Sequence, residues 1–114
     1  MMKDYKEYYK LPLKLDSEIG WVWDSKDNFV FQFEFDDVNE QNNIIDAIEG
    51  KINLSTNSKF RYEDGLISYE NGTPAILMRG WGNLTGTGCY NLSPCEAEYV
   101  QDTFAEFILS QLNK

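Results

Sequence analysis

Apolar and polar positions alternate twice in the first third of the chain. Leu11, Leu13 and Leu15 are spaced by Pro12 and Lys14. Proline offers no ladder hydrogen bond, so this short stretch belongs at a sheet edge or in an extended lead-in. Residues 19–23 read as a strand, with Trp21 and Trp23 on one face and Val22 on the other. After a polar turn at 24–28 comes the clearest strand, 29–35. Phe29, Phe31, Phe33 and Phe35 fall on one face, and Val30, Gln32 and Glu34 on the other. That alternation predicts one buried face and one wet face. The two strands are expected to pair as an antiparallel hairpin.

The period then changes. Asp36 or Asp37 can cap a helix beginning near Val38, and Ile44, Ile45, Ile48 and Ile52 recur at helical spacing. Gly50 and the polar run 53–58 end it. Strands follow at 60–62 and 66–69, around a turn at Glu63-Asp64-Gly65. Asn71-Gly72 carries the signature of a type I′ hairpin turn, which needs positive φ at both central residues. The return strand, 74–81, carries the unbroken apolar run Ala75, Ile76, Leu77 and Met78, as expected of a central strand or one covered on both faces. The last helix has the best start signal in the chain. Ser93 is the expected N-cap, Pro94 occupies the first helical position, and Glu96 closes a capping box. Ala97, Val100, Phe104, Phe107, Ile108 and Leu112 then form its apolar stripe. The order β-β-α-β-β-β-α predicts an α+β fold, an antiparallel sheet of about five strands with two helices packed on one face.

Length and composition narrow the function more than the fold. At 114 residues, with 42% hydrophobic and 15% aromatic positions and no linker or repeat, the chain reads as a single domain, 1–114. The net charge of −9 is unevenly spread. Residues 1–14 sum to +2, residues 15–50 to −9, and residues 51–114 to −2. An acidic surface disfavours nucleic acid, whose binding requires Lys and Arg to displace counterions. The chain has no histidine, the commonest general base and metal ligand. Cys89 and Cys95 alone cannot complete a zinc set, and two reduced thiols are expected. No metal or cofactor is implied. No apolar window approaches the roughly 18 residues of a membrane span, and the polar start lacks a signal-peptide core, so a cytoplasmic protein without a membrane partner is expected. Residues 1–10, with Tyr5, Tyr8 and Tyr9, are expected to extend from the domain or to dock on it or on a second subunit, which keeps a homodimer open.

Two candidate surfaces emerge. One is the glycine-rich connection 79–91. One reading makes it structural, with Trp81 packed as a lid on the core. The other makes it a recognition loop in which Arg79, Trp81, Asn83, Thr85 and Tyr90 contact a partner, a small ligand or a carbohydrate. The second is acidic. Glu34, Asp36, Asp37 and Glu40 cluster where the phenylalanine strand meets the first helix, and Glu98, Asp102 and Glu106 line up at i, i+4 and i+8 of the last. Such carboxylates are either a solvated face or a docking surface for a basic partner. Carboxylate pairs are too numerous to single out a catalytic one, and neither cysteine has a histidine to activate it, so no catalytic residue is expected.

The stretch Arg79-Gly80-Trp81-Gly82-Asn83-Leu84-Thr85-Gly86-Thr87-Gly88, followed by Glu96-Ala97-Glu98-Tyr99-Val100-Gln101-Asp102-Thr103-Phe104, resembles small proteins of gut-bacterial phages and mobile elements. The resemblance covers the last third of the chain and carries no catalytic residues. It implies an accessory protein in a bacterial cell. The expectation is a non-enzymatic, acidic binding protein that engages a basic protein surface as an inhibitor does. The alternatives are a small-ligand or carbohydrate-binding domain using the loop, and an immunity-type inhibitor of a basic toxin.

Overall fold

The computed structural model describes residues 2–54 and 59–114. After a 3-10 turn (Tyr5–Glu7) come β1 (Lys14–Asp16), β2 (Trp21–Trp23), β3 (Phe29–Phe33) and helix α1 (Val38–Ile48). β4 (Phe60–Glu63), β5 (Leu66–Tyr69) and β6 (Pro74–Met78) follow, then α2 (Trp81–Thr85) and α3 (Pro94–Leu112). The six strands form one antiparallel sheet in the order β1-β2-β3-β6-β5-β4. The fold is therefore the expected α+β class with one more strand than the alternation predicts. The extra strand is the end of the 11–15 stretch. It lies at the sheet edge, where the proline argument places it.

Local chemistry accounts for the helices. The Asp37 carboxylate accepts the Glu40 N–H at 3.2 Å and caps α1. Gly50, at φ 78°, closes it in the left-handed region, so Ile52 lies beyond the helix and is exposed. Residues 55–58 of the expected polar stop lie outside the described residues. At α3 the capping box forms as expected. The Ser93 hydroxyl accepts the Glu96 N–H and the Glu96 carboxylate accepts the Ser93 N–H, both at 3.2 Å.

Register explains the core. Val22 opposes Phe31, which opposes Met78, and Phe33 opposes Ile76, which opposes Ile67. These six side chains are buried in one cluster with Ile44 and Ile48 of α1 and Val100, Phe104 and Ile108 of α3. Each such burial contributes about 1.5–3 kcal/mol. β6 holds the middle of the sheet, as its apolar run requires; Ala75 is fully buried, but the face away from the helices is only partly covered. Ile76 and Met78 are buried, while Leu77 on the opposite face stays partly open.

Three local expectations are corrected. First, the phenylalanine face is broken. The register slips between Val22 and Trp23, so Trp23 opposes Phe29 and Val30 becomes the extra residue of a bulge. Phe31 and Phe33 remain in the core, but Phe29 leaves it and joins the tryptophans on the other face. Second, the paired positive φ values of a type I′ turn occur at Asp64 (50°) and Gly65 (81°), between the facing residues Glu63 and Leu66. At Asn71-Gly72 only Gly72 is positive, because the Asn71 carboxamide oxygen instead accepts the Thr73 N–H. Third, β6 ends at Met78, and Trp81 opens a helix rather than ending the strand.

The lead docks on its own domain. Tyr5 and Tyr9 lie 5.2 and 5.0 Å, ring centre to ring centre, from Phe104, and Tyr9 is buried. The Tyr9 hydroxyl has no hydrogen-bond partner among the described residues, and burial, then Asp24 and Tyr90, holds its pKa well above the ordinary tyrosine value. It sits against Gly80, where a Cβ would lie 2.5 Å from that hydroxyl and 3.2 Å from the Phe29 carbonyl oxygen, at a φ of 123°. Gly80→Ala should therefore cost about 2 kcal/mol or more in urea unfolding, through both strain and overlap. Tyr9→Phe keeps the ring and removes an unpaired hydroxyl, so its stability should equal or exceed that of the wild type.

Candidate binding surfaces

One buried carboxylate positions the glycine-rich connection. Asp24 follows β2 and is fully buried. It accepts the backbone N–H groups of Lys10 (2.7 Å), Lys26 (2.9 Å) and Asn28 (2.8 Å), and the Asn28 carboxamide N–H at 3.1 Å. Asn28 relays the network. Its Nδ2 also donates to the Tyr8 carbonyl (3.0 Å) and reaches the Tyr90 hydroxyl (3.4 Å), and its Oδ1 accepts from Asn83 Nδ2 at 3.4 Å. The lead, the β2–β3 turn and the connection after β6 are thus joined at one end of the sheet.

That network shows where the loop residues make their hydrogen bonds. Tyr90 donates its hydroxyl to the Tyr8 carbonyl (3.1 Å) and packs edge-on against the Tyr8 ring, 4.9 Å between centres. The Thr85 hydroxyl bonds the Trp81 carbonyl within α2. The connection closes on itself through Leu92 N–H to Leu84 O (2.7 Å) and Tyr90 N–H to Asn83 O (3.1 Å). Its apolar anchor is Leu84, which is fully buried, whereas Trp81 is 39% exposed. The expected tryptophan lid is therefore a leucine. A five-residue helix turns Leu84 inward and leaves Trp81 outside. Tyr90 faces the protein, Thr85 bonds within its own helix, Asn83 is shared, and Arg79 and Trp81 are exposed.

Arg79 and Trp81 lie beside residues that the alternation alone would not place on a surface. Trp21, Trp23 and Phe29 form a three-ring cluster on the sheet face away from α1 and α3. Trp21 stacks on Phe29 (4.7 Å between centres, 22° between planes), and Trp23 lies 5.5 Å from Phe29 and 6.0 Å from Trp21. The Arg79 guanidinium carbon is 5.8 Å from the Phe29 ring centre. A depression of about 320 Å³ separates Phe29 from Trp81, with Arg79 and Asn83 on its walls. Trp21 remains 38% exposed. Because Phe29 stacks against Trp21, part of the flat ring area that a sugar would require is already covered. The one signal available from sequence was that Trp21 and Trp23 share a face opposite the core residue Val22.

The acidic candidates separate. Glu34, Asp36 and Asp37 are exposed and Glu40 is half-buried. Asp37 and Glu40 line a groove of about 810 Å³ whose other walls include Phe35, Phe60, Tyr69 and Ile52. Burial, then Glu40 and Asp37, raises the pKa of the Tyr69 hydroxyl, so both carboxylates act on the same aromatic wall. The α3 row is interrupted. Glu98 and Glu106 are exposed, but Asp102 accepts the Tyr62 hydroxyl at 2.6 Å and ties α3 to β4. The aromatic walls of the groove, Phe35, Phe60 and Tyr69, come from separate strands and loops, and sequence spacing does not bring them together.

Among the described residues, no group of three or more Asp, Glu or Cys side chains could hold a metal ion, and no helix is long and apolar enough to cross a membrane. Cys89 and Cys95 are free and exposed. The arrangement offers surfaces for contact: a carboxylate-and-aromatic groove and an aromatic sheet face. No protein-family model, curated protein or solved structure matches the chain.

The loop assignment has a direct test in chemical denaturation. Leu84→Ala should cost about 2–5 kcal/mol, because it empties a buried site, while Trp81→Ala should cost less than about 1 kcal/mol. The reverse ranking would restore Trp81 as the lid.

Proposed function

We propose that this chain is a non-enzymatic accessory protein, of the kind encoded by phages and mobile elements, that binds a basic surface of another protein as an inhibitor does. The observation that carries this reading is the groove beside α1. Two carboxylates there share one cavity with Phe35, Phe60 and Tyr69. A Lys or Arg side chain entering it would meet opposite charge at one wall and aromatic faces at the other, and both attract a cation. Glu34 and Asp36 add negative potential at the rim, and the net charge of −9 would steer a basic partner and speed its approach. An immunity-type inhibitor of a basic toxin would use the same contacts. A small-ligand site in the 79–91 loop has less support, since Thr85 and Tyr90 spend their hydrogen bonds inside the protein.

A hexa-arginine peptide is a suitable probe, followed by fluorescence anisotropy. Binding should weaken by about tenfold or more between low and physiological salt. Glu40→Lys should weaken it about tenfold further. Glu98→Lys makes the same change in net charge on exposed α3 and should have a much smaller effect. Equal losses from the two variants would mean that only the overall charge attracts the peptide, and the groove assignment would fail.

A further inference from the structure

The outer face of the sheet carries only a small part of this molecule's net acidity. Helices α1 and α3 cover one side only, and on the other Trp21, Trp23, Phe29, Leu66 and Leu77 are all at least partly open to solvent. In the register Gln32 lies between Trp21 and Leu77, so the apolar side chains flank one polar residue, and exposed apolar groups gathered on one face in this way mark contact surfaces. By strand alternation Lys14, Arg61 and Arg79 share this face with Asp16 and Glu63, and the flanking acids are Asp27, which pairs with Lys14, Glu34 and Asp64. Three bases against five acids leave two negative charges here, so seven of the nine lie elsewhere.

We infer that this face joins two copies of the chain in a two-fold dimer, sheet against sheet. A second copy is singled out by charge. Two molecules of net charge −9 repel each other overall, and on this face both signs are present in near balance. A two-fold contact sets a patch against itself, so it requires a patch carrying both members of each attractive pair. Arg79 and Lys14 can then face Asp16 or Glu63 of the second copy around the central tryptophans. Six strands of three to five residues, at about 4.8 Å spacing and about 3.3 Å per residue, give a face about 24 Å by 10–17 Å, so the contact must also draw on the rim residues Asp27 and Glu34 to approach the roughly 800 Å² per partner of a standard interface. The aromatic cluster is also preorganised, because Phe29 is already held against Trp21 and lies beside Arg79, so little side-chain freedom remains to be lost on association.

This dimer and the basic-partner groove predict opposite responses to salt. Salt screens the repulsion between two acidic copies, so self-association should strengthen as ionic strength rises, while peptide binding at the groove weakens. Sedimentation equilibrium of the full chain, over a range of protein and salt concentrations, reads this directly. The mass should move from 13.2 kDa toward twice that value, with a dissociation constant that falls as salt is added. Trp21→Asp and, independently, Leu77→Glu should each raise the constant at least about tenfold, with unchanged far-ultraviolet circular dichroism. A single species at 13.2 kDa under all conditions would overturn the proposal. So would a dimer that both folded variants leave intact, or one that salt dissociates.

Discussion

The structure depends on where one carboxylate finds its hydrogen bonds. Asp24 is fully buried, and neither of the ion pairs found among the described residues involves it. Its charge is stabilised by three backbone N–H groups and a carboxamide. A buried carboxylate is costly without partners, and hydrogen bonds to a charged acceptor contribute about 1.5–3 kcal/mol each. Satisfying Asp24 therefore requires the turn to fold back on itself through Lys26 and Asn28, and the lead to pass close enough for Lys10 to donate.

Much of the molecule's asymmetry follows from that arrangement. The lead lays Tyr5 and Tyr9 on α3 and thickens the helical side of the sheet. Asn28 extends the same network to Tyr90 and Asn83, which folds the long connection down at the same end. The bulge that follows immediately in β3 turns Phe29 away from the core and onto Trp21 and Trp23. One side of the sheet thus gains two helices and the lead, while the other keeps an uncovered aromatic cluster. The acidic groove lies at the opposite end of β3, where Phe35, α1 and Tyr69 meet. The two surfaces share a strand but differ in chemistry, one charged and one nearly neutral.

Elements held by local chemistry were legible in the sequence. The capping box at Ser93 and Glu96, the Asp37 cap and the hairpin between the tryptophan and phenylalanine strands all need only near neighbours in the chain. What escaped was non-local. Period-2 reading holds only while strand pairing is unbroken, so it placed Phe29 in the core, where the bulge does not leave it. Trp81 is the larger apolar side chain of its loop, yet Leu84 is the one that a single helical turn brings beneath the surface. Asp24 read as part of a wet turn because its partners lie 14 residues upstream and four downstream. Of the acidic positions, alignment on a helix was readable at Glu98 and Glu106. The diversion of Asp102 to Tyr62 required knowing that β4 runs beside α3.

Native-state hydrogen exchange tests the central role of Asp24 most directly. The amides of Lys10, Lys26 and Asn28 lie in two separate stretches of loop, where exchange is ordinarily fast. If the Asp24 carboxylate binds them into one unit, all three should be protected and should open together, with the free energy of the β2–β3 hairpin. Fast exchange at Lys10 or Lys26, with β3 still protected, would contradict the account.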